Sequence, residues 1–175
     1  MVATAHQPTD AAASPGIVRA ADGEVLLSGP LGAVLLAGGP ATGGSVSFVV
    51  HPLAPRALGS PVHTHRREDE WSYVLEGRIG VQVGADTYEA RPGDLVRKPR
   101  GVPHAFWNPT DEPARMLEVI TPAGFEDYFA RLGALLRVDQ PPDMDALGAV
   151  AAEFGLEVDP ASVPRLAQAH GLRLG

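Results

Sequence analysis

Between Ile17 and Thr121 Gly and Pro leave uninterrupted pieces of at most eight residues, Val62–Glu76 excepted, and the pieces between are rich in Val, Leu and aromatics. A segment that short cannot complete the three turns of an ordinary helix, whereas it suffices for a strand. The surplus is large, 20 Gly and 17 Pro in 175 residues, and it follows no fixed Gly period. It therefore signals turns rather than a collagen-like repeat. The fold class read from this rhythm is all-β. Strands are predicted at Glu24–Ser28, Ala33–Ala37, Ser45–His51, Trp71–Leu75, Arg78–Val83, Thr87–Ala90, Leu95–Lys98, His104–Trp107 and Met116–Ile120. Arg78–Val83 alternates best, with Ile79, Val81 and Val83 on one face. Glu76-Gly77 reads as a hairpin turn between two of these strands.

Beyond Pro122 the apolar period changes from 2 to 3.6. Phe125, Tyr128, Phe129, Leu132, Leu135 and Leu136 form one helical stripe, and Met144, Leu147, Ala151 and Phe154 form a second. Gly155 is placed to end that second helix in the left-handed conformation. A third, short helix is predicted from about Ser162 to His170. These stripes cover one end or face of the β unit, and the first helix is a candidate lid over a pocket. The organisation expected is a flexible tail over 1–15, the β unit over 16–122 and a helical segment over 123–175.

Bulk properties restrict the chemistry. Hydrophobic residues make up 45% and charged residues 20%, values of an ordinary globular chain. Cysteine is absent, so any metal must be held by His and carboxylates, and thiol nucleophiles and Cys-ligated clusters are excluded. The formal net charge of −7 argues against a nucleic-acid or anionic-membrane partner. No apolar run approaches a membrane span and no secretory leader is recognisable, so a cytoplasmic protein is expected.

Three of the six His fall in two local patterns: His63-Thr64-His65 followed by Glu70, and Pro99-x-Gly101-x-x-His104-x-x-x-Asn108. On a strand, residues i and i+2 share a face with Cα atoms about 6.6 Å apart, so His63 and His65 can reach one ion. A third His and one carboxylate would complete three neutral nitrogens and one anion around a divalent ion of the Fe, Ni, Mn, Co or Zn type, with one or two positions left open. Glu68, Asp69 and Glu70 all offer the carboxylate, and a strand puts Glu68 and Glu70 on one face and Asp69 on the other.

Residues Pro61 to Asn108 resemble a cupin domain. The first cupin motif is met by His63, His65, Glu70 and Gly77, and the second by Gly93, Pro99, Gly101, His104 and Asn108. The Gly that opens the first motif is Ala57 here, with Gly59 nearby. Motif spacing selects Glu70 over its two acidic neighbours. The resemblance implies a cupin-type jelly-roll β-barrel with C-terminal helices, whose metal ligands His63, His65, Glu70 and His104 project from neighbouring segments of one sheet. It further implies a homodimer, since single cupins commonly pair through sheet edges.

The segment Thr121–Phe129 and the helical tail are similar to those of single-cupin proteins related to quercetin 2,3-dioxygenase. That implies a dioxygenase acting on a flavonol-like or other enolic aromatic small molecule with O2, in which Glu70 both ligates metal and takes the substrate's enolic proton. A non-redox cupin, whether isomerase, cyclase or small-molecule-binding protein, is the alternative on the same metal site. Tyr73, Val81, Val83 and Phe106 are the candidate substrate pocket. Arg66, Arg67, Arg97, Lys98 and Arg100 flank the motifs and read as solvated loop cations. His6, His51 and His170 read as lying outside the site.

Overall fold

The computed structural model describes residues 16–136 and 142–173; the expected tail over 1–15 lies outside the described residues. A single 3₁₀ turn, Ala20–Asp22, precedes the first strand. In chain order the elements are β1 (Glu24–Leu27), β2 (Ala33–Ala37), α1 (Gly39–Thr42), β3 (Ser47–Leu53), β4 (Val62–His65), β5 (Asp69–Glu76), β6 (Ile79–Val83) and β7 (Asp86–Ala90). There follow β8 (Leu95–Lys98), β9 (His104–Trp107), β10 (Ala114–Thr121), α2 (Glu126–Leu135), α3 (Met144–Glu153), β11 (Leu156–Asp159) and α4 (Ser162–His170). Every strand predicted from the Gly/Pro rhythm is present, with ends displaced by a few residues. The short β4 and α1 were not among the predicted elements.

The strands form two antiparallel sheets, one in the order β1-β2-β3-β10-β5-β8 and the other in the order β11-β4-β9-β6-β7. Two facing antiparallel sheets are consistent with the expected jelly-roll, except that the barrel is not closed. Among the described residues no ladder joins one sheet to the other, and side chains hold them together instead. Leu53, Val74 and Met116 from the first sheet meet Ile79, Val81 and Phe106 from the second in one buried cluster. Alternation makes this contact: β10 reads buried and half-buried in strict turn, with Ala114, Met116, Glu118 and Ile120 inward.

Two further expectations are corrected. Glu76-Gly77 is not a hairpin, because β5 pairs with β10 and β8 while β6 pairs with β7 and β9. It is a corner that carries the chain from one sheet to the other. Alternation gives both flanking strands a buried face but does not name their partners. Gly77 takes φ +71°, and a Cβ there would lie 2.6 Å from the Pro113 carbonyl oxygen. The two-residue hairpin is Gly84-Ala85, which joins β6 to β7 with Val83 opposite Asp86.

The C-terminal segment is also not purely helical. After Gly155, in the expected left-handed conformation at φ +68°, Leu156–Asp159 forms β11 and pairs with β4. Four residues are too few to display a period, so this strand exists through its long-range partner. At the start of α2, Phe125 and Phe129 pack with Leu27, Val49, Ile120 and Leu156, which seats the helix over one end of the space between the sheets. No helix among the described residues is long and apolar enough to cross a membrane.

Gly77 and Gly171 separate conformational strain from steric conflict. Both have positive φ, but a Cβ at Gly171 would meet nothing within 4 Å. Gly171→Ala is expected to cost about 1 kcal/mol and Gly77→Ala roughly 2–3 kcal/mol, read from urea midpoints. Equal losses at the two positions would show that the loop before β10 gives way.

Candidate metal centre

β4 presents His63 and His65 inward, with Thr64 between them half-buried. Its neighbour β9 sets His104 directly opposite His63. The carboxylate arrives from the other sheet: Glu70 lies on β5, opposite Lys98 on β8. The four ligands thus come from two facing sheets, which corrects the single-sheet arrangement expected. One donor atom from each of His63, His65, Glu70 and His104 lies within 4.8 Å of the others, and all four residues are buried.

The hydrogen bonds of these rings fix what they present to one another. His63 Nδ1 lies 2.9 Å from the Pro61 carbonyl and His104 Nδ1 lies 3.0 Å from the Val102 carbonyl. A carbonyl oxygen can only accept, so each Nδ1 carries the hydrogen. Burial pushes both rings below the usual imidazole range, and His63 far below it. Each is therefore neutral, with a bare Nε2 lone pair. Yet His104 Nε2 is 3.2 Å from Glu70 Oε2, an acceptor facing an acceptor. A shared cation resolves that conflict. His65 is buried with neither ring nitrogen hydrogen-bonded; its Nε2 is 3.3 Å from Glu70 Oε1 and its Nδ1 is 3.5 Å from Glu68 Oε2. Ligands at right angles, each about 2.1 Å from one ion, lie about 3 Å apart. The donor set fits a divalent transition ion.

Glu70 is ionised here. Burial alone would push its carboxyl up, but the ammonium of Lys98 and the ring of His65 hold it well below the usual carboxylate range. Lys98 is the correction to the solvated-cation reading. It is 1% exposed, with Nζ 2.9 Å from Glu70 Oε2 and 2.7 Å from Glu118 Oε2. Burial pushes Glu118 up to about 7 against the pull of Lys98, and Ser72 donates to it at 2.9 Å. The four arginines stay at the surface: Arg66 pairs with Glu157, Arg67 donates to the Glu153 carbonyl, Arg97 lies over Trp71 and Arg100 pairs with Asp69. Asp69 therefore faces away from the donors, and Glu68 and Glu70 are buried.

A cavity of about 110 Å³ opens beside the donors. Glu70 and His63 line it together with Phe106, Phe125, Phe129 and Leu132. Of the four candidate pocket residues only Phe106 is there. Tyr73 is 41% exposed because it falls on the outward parity of β5, between buried Ser72 and Val74. Val81 is core, and Val83 packs against that core. Sequence reasoning missed two residues that line the cavity, His51 and Glu118. The signal was present, since both share parity with inward apolar neighbours, Val49 and Leu53 on β3 and Met116 and Ile120 on β10. Asn108, the last residue of the second motif, is buried but not a donor to the cluster. It donates to the Ala54 and Glu112 carbonyls and ties two loops together.

His65→Ala is expected to empty the site of metal while far-ultraviolet circular dichroism stays that of the parent; full occupancy by elemental analysis would overturn the ligand assignment. In the ion-free protein burial lowers His65, but the Glu70 and Glu68 carboxylates outweigh it and raise the ring to about 9. An ion must displace that proton. Metal affinity is therefore expected to rise about tenfold per pH unit from near neutrality up to pH 9, then level off, in competition titrations.

The chain was compared with known proteins. Residues 49–120 match the cupin domain. The quercetin 2,3-dioxygenase of Bacillus subtilis is 28% identical over 92 residues, 53% of this chain and 27% of that protein. The enzyme of the same name from Aspergillus japonicus is 38% identical over 82 residues, 44% of this chain and 23% of that protein. The chain thus spans about a quarter of the length of these curated relatives. Among solved structures, a sugar phosphate isomerase of the cupin superfamily from Silicibacter pomeroyi superposes with a TM-score of 0.54 at 26% identity, covering 61% of this chain and 75% of that one. The motif residues, the two facing sheets and the matched span agree: residues 49–120 match a cupin domain, and the chain resembles the quercetinase-like proteins of the cupin superfamily.

Proposed function

We propose that the protein is a metal-dependent dioxygenase acting on an enolic aromatic small molecule. One observation carries the reading: Glu70 belongs to the four-donor cluster and at the same time lines an apolar cavity walled by Phe106, Phe125 and Phe129. A divalent transition ion held by His63, His65, Glu70 and His104 would supply an open coordination position and redox chemistry toward dioxygen. The protein supplies the rest. The aromatic walls exclude water and receive a flat ring. Glu70, kept ionised by Lys98, accepts the proton of the substrate's enolic hydroxyl on a carboxylate oxygen. The Lys98 ammonium, 2.9 Å from Glu70 Oε2, holds that carboxylate in place while the proton moves. The sequence similarity to the two quercetin 2,3-dioxygenases supports this chemistry.

Cavity size refines the substrate. Sites for drug-sized ligands span about 300–1,000 Å³, and a cavity of about 150 Å³ holds benzene. At about 110 Å³ the space is smaller than that and takes at most one ring. A three-ring flavonol enters only if Phe125 and Phe129 on the α2 side move. The same small volume, with the likeness to an isomerase, favours a second reading, a non-redox cupin acting on a compact substrate. Oxygen-electrode assays with the Fe, Mn, Co and Ni forms separate the two. Oxygen uptake with catechol or quercetin, absent in the zinc form, is the expected result. Conversion without oxygen in the zinc form, and no uptake with any of the four metals, would establish the non-redox reading instead.

A further inference from the structure

His51 lies inside the cavity but outside the donor cluster. It sits on β3 opposite Met116 of β10 and diagonal to Glu118, and only 1% of its surface is exposed. Its Nδ1 is 2.8 Å from the Gly32 carbonyl oxygen, so that nitrogen carries the hydrogen. Burial holds the ring down at about 4, neutral under ordinary conditions. Nε2 is therefore a bare acceptor, and the Gly32 bond is the ring's one hydrogen bond among the described residues. The ring is also fixed, wedged with its centroid 5.0 Å from Phe129 and 6.1 Å from Phe106. With no donor to Nε2 among the described residues, a group that enters the cavity can supply one.

The other charged groups at the cavity make the same demand. Glu70 and Glu118 both line it, and Lys98 is already bound to both. No arginine lines the cavity. Only the Ser60 and Tyr128 hydroxyls, and the Glu118 carboxyl that burial raises to about 7, could either donate or accept. Such a lining repels carboxylates and phosphates and receives hydroxyl groups. We propose that His51 anchors the ligand: its Nε2 accepts a hydrogen bond from a hydroxyl of an uncharged, single-ring molecule, at a position remote from the end held at the four-donor cluster. This rests on the proposed function only in placing the ligand's other end at that cluster; it does not require oxidation.

The zinc-loaded protein, under nitrogen, tests this by calorimetry with four probes that share one catechol end. Catechol has no further group, 1,2,3- and 1,2,4-trihydroxybenzene add a hydroxyl, and 3,4-dihydroxybenzoate adds a carboxylate. The native protein is expected to bind at least one trihydroxybenzene roughly 3- to 10-fold more tightly than catechol, and the benzoate more weakly than catechol. His51→Phe should abolish the hydroxyl preference, and His51→Gln, which keeps an acceptor, should restore part of it. Zinc content and melting temperature check that both variants are folded. A preference that survives in His51→Phe overturns the proposal, as does equal binding of all probes by the native protein or no binding of any. A preference that behaves as expected in a protein that never consumes oxygen would retain the anchor and discard the oxidative reading alone.

Discussion

Lys98 holds two buried carboxylates at once, Glu70 at 2.9 Å and Glu118 at 2.7 Å, with essentially no solvent to share the charge. The candidate site depends on that bridge. Desolvating such ionisable groups is expensive, and removing one member of a buried ion pair commonly costs about 3–5 kcal/mol because its partner is left unpaired. The bridge crosses the inner face of one sheet through the register β10-β5-β8, where Glu118 stands opposite Ser72 and Glu70 opposite Lys98. It delivers Glu70 ionised and oriented to three histidines carried by the facing sheet. The donors meet across the gap between layers, so the separation of the sheets sets the geometry of the cluster. The apolar contacts of Val74, Ile79, Phe106 and Met116 set that separation in turn.

The meeting of His63, His65, Glu70 and His104 in one cluster was legible because its information is local. His63 and His65 are two residues apart, and parity on a strand decides their direction wherever the strand lies in the fold. The same rule separated Glu68 and Glu70 from Asp69, which turns outward to Arg100. Strand positions were legible for a similar reason, since Gly and Pro mark their ends.

Pairing was not legible. Nothing in the alternation of β5 and β6 says that they belong to different sheets, and nothing in four residues after Gly155 announces β11. The flanking charges misled for another reason. Lys98 looks like its exposed arginine neighbours, and only the register that puts two carboxylates beside it turns it inward. Tyr73 was read as a pocket residue although its parity pointed outward, and His51 was read as outside the site although its parity pointed inward. At both positions the strand's two-residue period was the better guide.

The strand that carries two of the histidines has a neighbour on each side. β9 flanks it on one edge, and on the other β11 pairs Leu156 with His65 and Val158 with His63. β11 is delivered by a part of the chain some ninety residues away, between α3 and α4. Release of this C-terminal portion would strip β4 of one edge ladder and loosen the backbone from which both rings project. An ion at the histidines and docking of the tail would then be reciprocal equilibria: an ion held there would tighten the tail by the same free energy with which the docked tail would tighten the ion. The chain's last elements are in this sense a remote support of the four-donor cluster.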